Sequence, residues 1–94
     1  MTPERVREVI ETYRRFFVAR NIEKIDYPHD EFLDHVEHGL PHCHGMLDKM
    51  VMFVSEGRME KAFRWLGFIQ GVLWTSQAFT LTALKDHNRP PEDE

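Results

Sequence analysis

The sequence predicts an all-α protein, a small bundle of about four to five helices completed by homo-oligomerisation. Apolar residues recur at helical spacing along most of the chain. Capping residues and helix breakers stand between those stretches. One helix, from about Met59 to Gln77, is apolar on more faces than a chain of 94 residues can readily cover. The pattern is read as one helical domain over residues 1–89, followed by a flexible acidic tail over 90–94.

The first helix begins at Thr2, a good N-cap, with Pro3 at the first helical position and Glu4 at the positive end. Val6, Val9, Ile10, Tyr13, Phe16 and Phe17 make one apolar face, Glu11 and Arg15 can pair on the wet side, and Asn21 is the expected stop. "NIEKIDYPHD" reads as a connection, with Tyr27 biased to extended geometry by Pro28. Asp30 is expected to cap a short helix carrying Phe32, Leu33 and Val36, which Gly39 and Pro41 interrupt. A third helix follows with Met46, Leu47, Met50, Val51, Phe53 and Val54, closed at Gly57 by a left-handed cap.

In the next helix Met59, Ala62, Phe63, Leu66, Ile69 and Leu73 form one stripe and Trp65, Phe68 and Val72 a second. Gly67 and Gly71 form a third strip beside Trp74. Each glycine costs about 1 kcal/mol against alanine in a helix, so the strip implies the close approach of another helix. A helix of this kind is either central to the fold or part of an interface. Thr80 caps a last short helix, "LTALKDHN".

Composition is that of a folded domain: 41% hydrophobic, 30% charged and 12% aromatic. A formal charge of −4 gives no basic signature, so no direct nucleic-acid binding is expected. The N-terminus is charged from Glu4 onward, unlike a signal peptide, and no apolar run approaches the ~18 residues that span a bilayer. No membrane association is expected. The single cysteine cannot form an internal disulfide, which points to the cytoplasm.

Chemistry-bearing residues concentrate in "HVEHGLPHCHGML", His35 to Leu47. From Ile25 to Asp48 there is no Lys or Arg, while Asp26, Asp30, Glu31, Asp34, Glu37 and Asp48 accompany five histidines. On a helix, Glu31 and His35 are i, i+4 and His35 and His38 are i, i+3; His42 continues that face if Pro41 does not redirect the chain. Glu31, His35, His38 and His42 are therefore the candidate ligands of a divalent metal such as Zn, with a metallohydrolase as the furthest extension. No HExxH, Glu-x-x-His pair or second cysteine accompanies them. The competing readings are an acidic, His-rich surface segment and a pH-responsive interface. Cys43 reads as a small buried hydrophobe.

A second group pairs cations with aromatic rings. Arg58, Lys61, Arg64, Lys85 and Arg89 cluster in the second half, with Trp65, Trp74, Gln70, Asn88 and His87 near in sequence and Tyr13 on the first helix. Arginine beside an aromatic ring suits a planar anion, guanidinium to phosphate and ring against base. Tyr13, Arg64, Gln70, Trp74, Asn88 and Arg89 are the candidate ligand-binding residues. Position by position a structural reading competes: Trp65 in the core, and Arg64 paired with Glu60 at i, i+4. Only a symmetric oligomer brings enough of these groups together to make a pocket.

"GRMEKAFRWLGFIQGVLW", Gly57 to Trp74, and "TALKDHNRP", Thr82 to Pro90, resemble a family of small all-helical proteins of tailed phages and prophages. The resemblance covers about half the chain, from near Met46 to Pro90, and leaves the histidine block outside it. It implies a host-cell, accessory or counter-defence context and carries over no catalytic residues. The parallel with helical oligomers that sequester signalling nucleotides is one of size and helicity. Together these observations lead to a non-enzymatic binding protein, a helical homo-oligomer taking a host factor or a small signalling nucleotide without a required cofactor. The alternatives are the metal-binding helical protein and a virion-assembly or structural interaction protein.

Overall fold

The computed structural model describes residues 1–89 and is all-helical, so the tail expected over 90–94 lies outside the described residues. Its elements are α1 (Pro3–Ala19), a single 3-10 turn (Val36–His38), α2 (Gly39–Ser55), α3 (Met59–Thr75) and α4 (Leu81–Asn88). The Thr2 hydroxyl accepts from the Arg5 N–H at 3.1 Å, and the Thr80 hydroxyl accepts from the Ala83 N–H at 3.1 Å. Each supplies an acceptor for a helical N–H that has no partner within its helix.

The three long helices end alike. Asn21 (φ 56°), Gly57 (φ 75°) and Gln77 (φ 65°) are left-handed. After each, the next N–H reaches back to a carbonyl five residues upstream: Ile22 to Phe17 at 3.0 Å, Arg58 to Phe53 at 2.8 Å, Ala78 to Leu73 at 2.8 Å. This is the Schellman arrangement, which satisfies carbonyls otherwise orphaned at a helix end.

α2 packs against both α1 and α3, and α4 lies against α1 and α3. The core is Val6, Val9, Ile10, Tyr13 and Phe17 from α1, Cys43, Leu47, Met50, Phe53 and Val54 from α2, Ala62, Leu66, Ile69 and Leu73 from α3, and Leu84 from α4. The central helix is therefore α2. Of the two roles open to the many-faced α3, the place in the middle is taken by its neighbour.

The structure departs from three expectations. α2 starts at Gly39, seven residues before Met46, and Pro41 lies inside its first turn. An N–H there has no partner in the helix, so proline removes nothing and its fixed φ suits the turn. Gly39 opens the helix instead of interrupting one: it is buried, and a Cβ on it would stand 3.0 Å from Val72 Cγ1. The short helix at Asp30 does not form; its region runs without regular structure to the 3-10 turn at Val36. Phe32 is fully exposed, with Leu33 and Val36 also on the surface, so no buried face stabilises a helix there. The connection is instead held by α2: the Ile25 N–H donates to the Pro41 carbonyl at 3.2 Å, and His44 Nδ1–H to the Ile22 carbonyl at 2.7 Å. On α1, Glu11 pairs with Arg14 at 3.2 Å, not with Arg15, and Arg14 reaches Asp48 on α2 at 2.6 Å.

Candidate functional site

α3 carries a basic hollow at its N-terminal end. The left-handed Gly57 stops α2, and Arg58 occupies the N-cap of α3 without a side-chain cap for the first turn. Arg58, Lys61 and Arg64 follow at three-residue intervals and line a hollow of about 430 Å³ with Met59 and Glu60. Lys61 Nζ stands 4.7 Å from the centre of the Phe53 ring, and the Arg58 guanidinium 5.2 Å from it. Trp65 is half-buried and meets Phe53 edge-on at 4.9 Å, so it adjoins the core without lying inside it. Arg64 is exposed and, among the described residues, makes no ion pair, with Glu60 or otherwise. Three cations and free helical N–H groups make a field that favours an anion, partly answered by Glu60 in the same turn and by Glu56, which lies 3.8 Å from Arg58.

Trp74 lies at the other end of α3, ten residues or about 15 Å along the axis from Arg64. It is half-exposed and lines a second hollow of about 430 Å³ with Phe79 and Leu81. Arg64 and Trp74 do not share a pocket within one chain.

Three other sequence candidates meet inside the protein. The Tyr13 hydroxyl accepts from Gln70 Nε2 at 3.0 Å and donates to His87 Nδ1 at 2.9 Å. Gln70 and Asn88 exchange reciprocal amide bonds of 2.7 and 3.0 Å. Arg5 donates to the His87 carbonyl at 3.0 Å. The cluster joins α4 to α1 and α3, and its polar atoms are engaged with one another. Burial raises the Tyr13 phenol above its usual range, against the Gln70 hydrogen bond. Burial, aided by the Arg5 charge, lowers His87 below 6.5 and favours the neutral ring that the Tyr13 hydrogen bond uses. Arg89, the sixth candidate, is exposed and pairs with Asp86 at 3.0 Å.

The histidine block divides. His35 accepts from the Glu37 N–H at 3.3 Å and faces His38, ring centres 6.0 Å apart. His42 turns the other way, toward Asp26 and His29. Asp26 Oδ1 accepts from His29 Nε2 at 3.3 Å and lies 3.8 Å from His42 Nδ1. The His29 hydrogen bond lowers the Asp26 carboxyl below its usual range. His42 borders a cleft of about 320 Å³ with Tyr27, His29, Glu31 and Phe68, and an adjoining one of about 270 Å³ with Asp26, Lys49 and Trp65. His44 is buried on Phe17, its Nε2 without a partner among the described residues. Cys43 is also buried, its thiol pushed up to about 12 by desolvation.

The four-residue set Glu31, His35, His38 and His42 presupposes a helix through Glu31 that the chain does not form, so its helical spacings do not hold. Among the described residues no group of three or more His, Cys, Asp and Glu is arranged to hold a metal ion. Asp26 and His29, which the sequence places in the same stretch free of Lys and Arg, meet His42 in its place.

Comparison with known protein families, with curated proteins and with solved structures finds no match. Among the described residues no helix is long and apolar enough to cross a membrane.

Proposed function

We propose that this protein is a non-enzymatic binding protein that works as a helical homo-oligomer and takes a small nucleotide through its phosphates. The observation that supports this reading is the hollow at the N-terminal end of α3. There Arg58, Lys61 and Arg64 surround an uncapped helical turn. Guanidinium and ammonium groups bind phosphate, and helical N–H groups add to them. The phage-type, counter-defence context rests on the sequence resemblance, and host-cell cytoplasm is the compartment it implies.

Calorimetric titration of the full chain with ATP and with a cyclic dinucleotide tests the reading. Binding of either, weakened tenfold or more by Arg64→Ala with circular dichroism unchanged, is the expected result. Absence of heat with both nucleotides contradicts it, as does binding indifferent to Arg64→Ala.

A further inference from the structure

Two clefts meet at His42, and the function proposed above uses neither. The larger, about 320 Å³, is lined by Tyr27, Glu31, Leu33, Gly39 and Val72, and the smaller, about 270 Å³, by Asp26, Met46, Lys49 and Trp65. His29, His42 and Phe68 line both, so the two form one trough between the connection, α2 and α3. The connection is held beside it by the Tyr27 N–H, which donates to His42 Nδ1 at 3.4 Å. A Cβ on Gly39 would stand 3.0 Å from Val72 Cγ1 and 3.9 Å from Leu33 Cδ1. Glycine here keeps open a part of the larger cleft that any side chain would enter.

The charges along the trough are mostly of one sign. Glu31 is the carboxylate of the larger cleft; it is exposed and makes no ion pair among the described residues. At the other end Asp26 accepts from His29 Nε2 at 3.3 Å, a bond that favours its ionised form. Among the described residues Lys49 is the only Lys or Arg on either cleft, and it lies on the smaller one. The rings of Tyr27 and Phe68 each stand 6.4 Å from that of His42, centre to centre. Aromatic faces are electron-rich and attract a cation, the more so where water is partly excluded. A bare metal ion would have to give up its water here, and among the described residues no group of three His, Cys, Asp or Glu replaces it.

We infer that this trough is a binding site for a small organic cation, a protonated amine carried on an apolar body. The body lies among Leu33, Phe68 and Val72, and the ammonium faces Glu31 with the Tyr27 ring beside it. A cleft of about 320 Å³ stands at the low end of small-molecule sites, which run from about 300 to 1,000 Å³, so the occupant is a one-ring amine. An anion of the same shape meets the Glu31 carboxylate and is repelled. The trough thus selects the opposite charge to the Arg58–Lys61–Arg64 hollow, and the inference does not rest on the nucleotide proposed for that hollow.

Titration of the isotope-labelled full chain with phenethylamine, followed by amide correlation spectra, tests the site. Saturable shifts are expected at Tyr27, Glu31, Leu33 and Gly39, with a dissociation constant between about 10 μM and 1 mM. Phenylpropionate, a similar ring on a carboxylate, should bind at least tenfold more weakly. Glu31→Gln should weaken the amine at least threefold and Phe68→Ala at least tenfold. Both side chains are exposed, so circular dichroism should be unchanged in the two variants. Absence of saturable shifts at these residues up to about 10 mM amine overturns the inference. Equal affinity for phenylpropionate also overturns it, as does an affinity for the amine that Phe68→Ala leaves unchanged. Nucleotide binding at the α3 hollow has no bearing on any of these outcomes.

Discussion

The two faces of α3 differ in what answers them. The inner face, Ala62, Leu66, Ile69 and Leu73, is buried against the rest of the bundle. The outer face mixes Phe63, Phe68 and Trp74, each about half exposed, with the exposed Glu60, Arg64 and Thr75, and two glycines leave a bare track between them. Exposed rings alone do not tell a buried face from an open one. The glycines do: a core face fills its strip with side chains, because interiors are close-packed, whereas a Cβ on Gly67 or Gly71 meets nothing within 4 Å among the described residues.

The contrast is broken most forcefully from the inside. Leu73→Ala should destabilise the chain by about 2–5 kcal/mol, because Leu73 is fully buried and its removal leaves a cavity. Trp74→Ala, one residue along the same helix, should change chemical-denaturation stability far less at concentrations where only monomer is present. Equal losses at the two positions would erase the distinction.

Between the faces lies Gln70, tied to Tyr13. Tyr13→Phe leaves Gln70 and His87 without their shared hydroxyl and should cost about 1–3 kcal/mol. The same cluster carries a pH dependence. His87 is lowered on folding, so the stability it contributes is in full above pH 6.5 and is lost as pH falls through the depressed value. Thermal melts between pH 7.5 and 5 should show a decline that is smaller in His87→Gln. A decline of equal size in that variant would place the titrating group elsewhere.

Gly71→Ala has the smallest expected effect and the sharpest meaning. On an open helical site alanine should stabilise the monomer by about 0.5–1 kcal/mol, read by urea denaturation at low concentration. A loss of stability instead would mean that the strip is closed by something the methyl group meets.

Much of the fold was legible in local chemistry. Thr2 and Thr80 cap helices, and Asn21 and Gly57 end them, as side-chain oxygens and left-handed geometry dictate. Pro41 was misread because a proline after an apolar stretch looks the same whether it breaks a helix or opens one. What decides is whether the preceding residues have somewhere to pack, and Phe32, Leu33 and Val36 do not. The candidate sites followed the same division. Arg64 and Trp74 lie on one helix and could be placed by spacing. The Tyr13, Gln70, His87 and Asn88 cluster ties Tyr13 to residues more than fifty positions away, and only the packing of α1, α3 and α4 brings them together. His42 and Asp26 likewise meet only because the connection lies along α2.

The most direct test of the proposed homo-oligomer is a native mass spectrum of the full chain, purified without a chelator or a metal-affinity tag. The proposal predicts a whole-number multiple, two or more, of the mass of one 11.2 kDa chain, with added mass in the nucleotide range if a ligand is carried through. A spectrum of single chains at every concentration would contradict it.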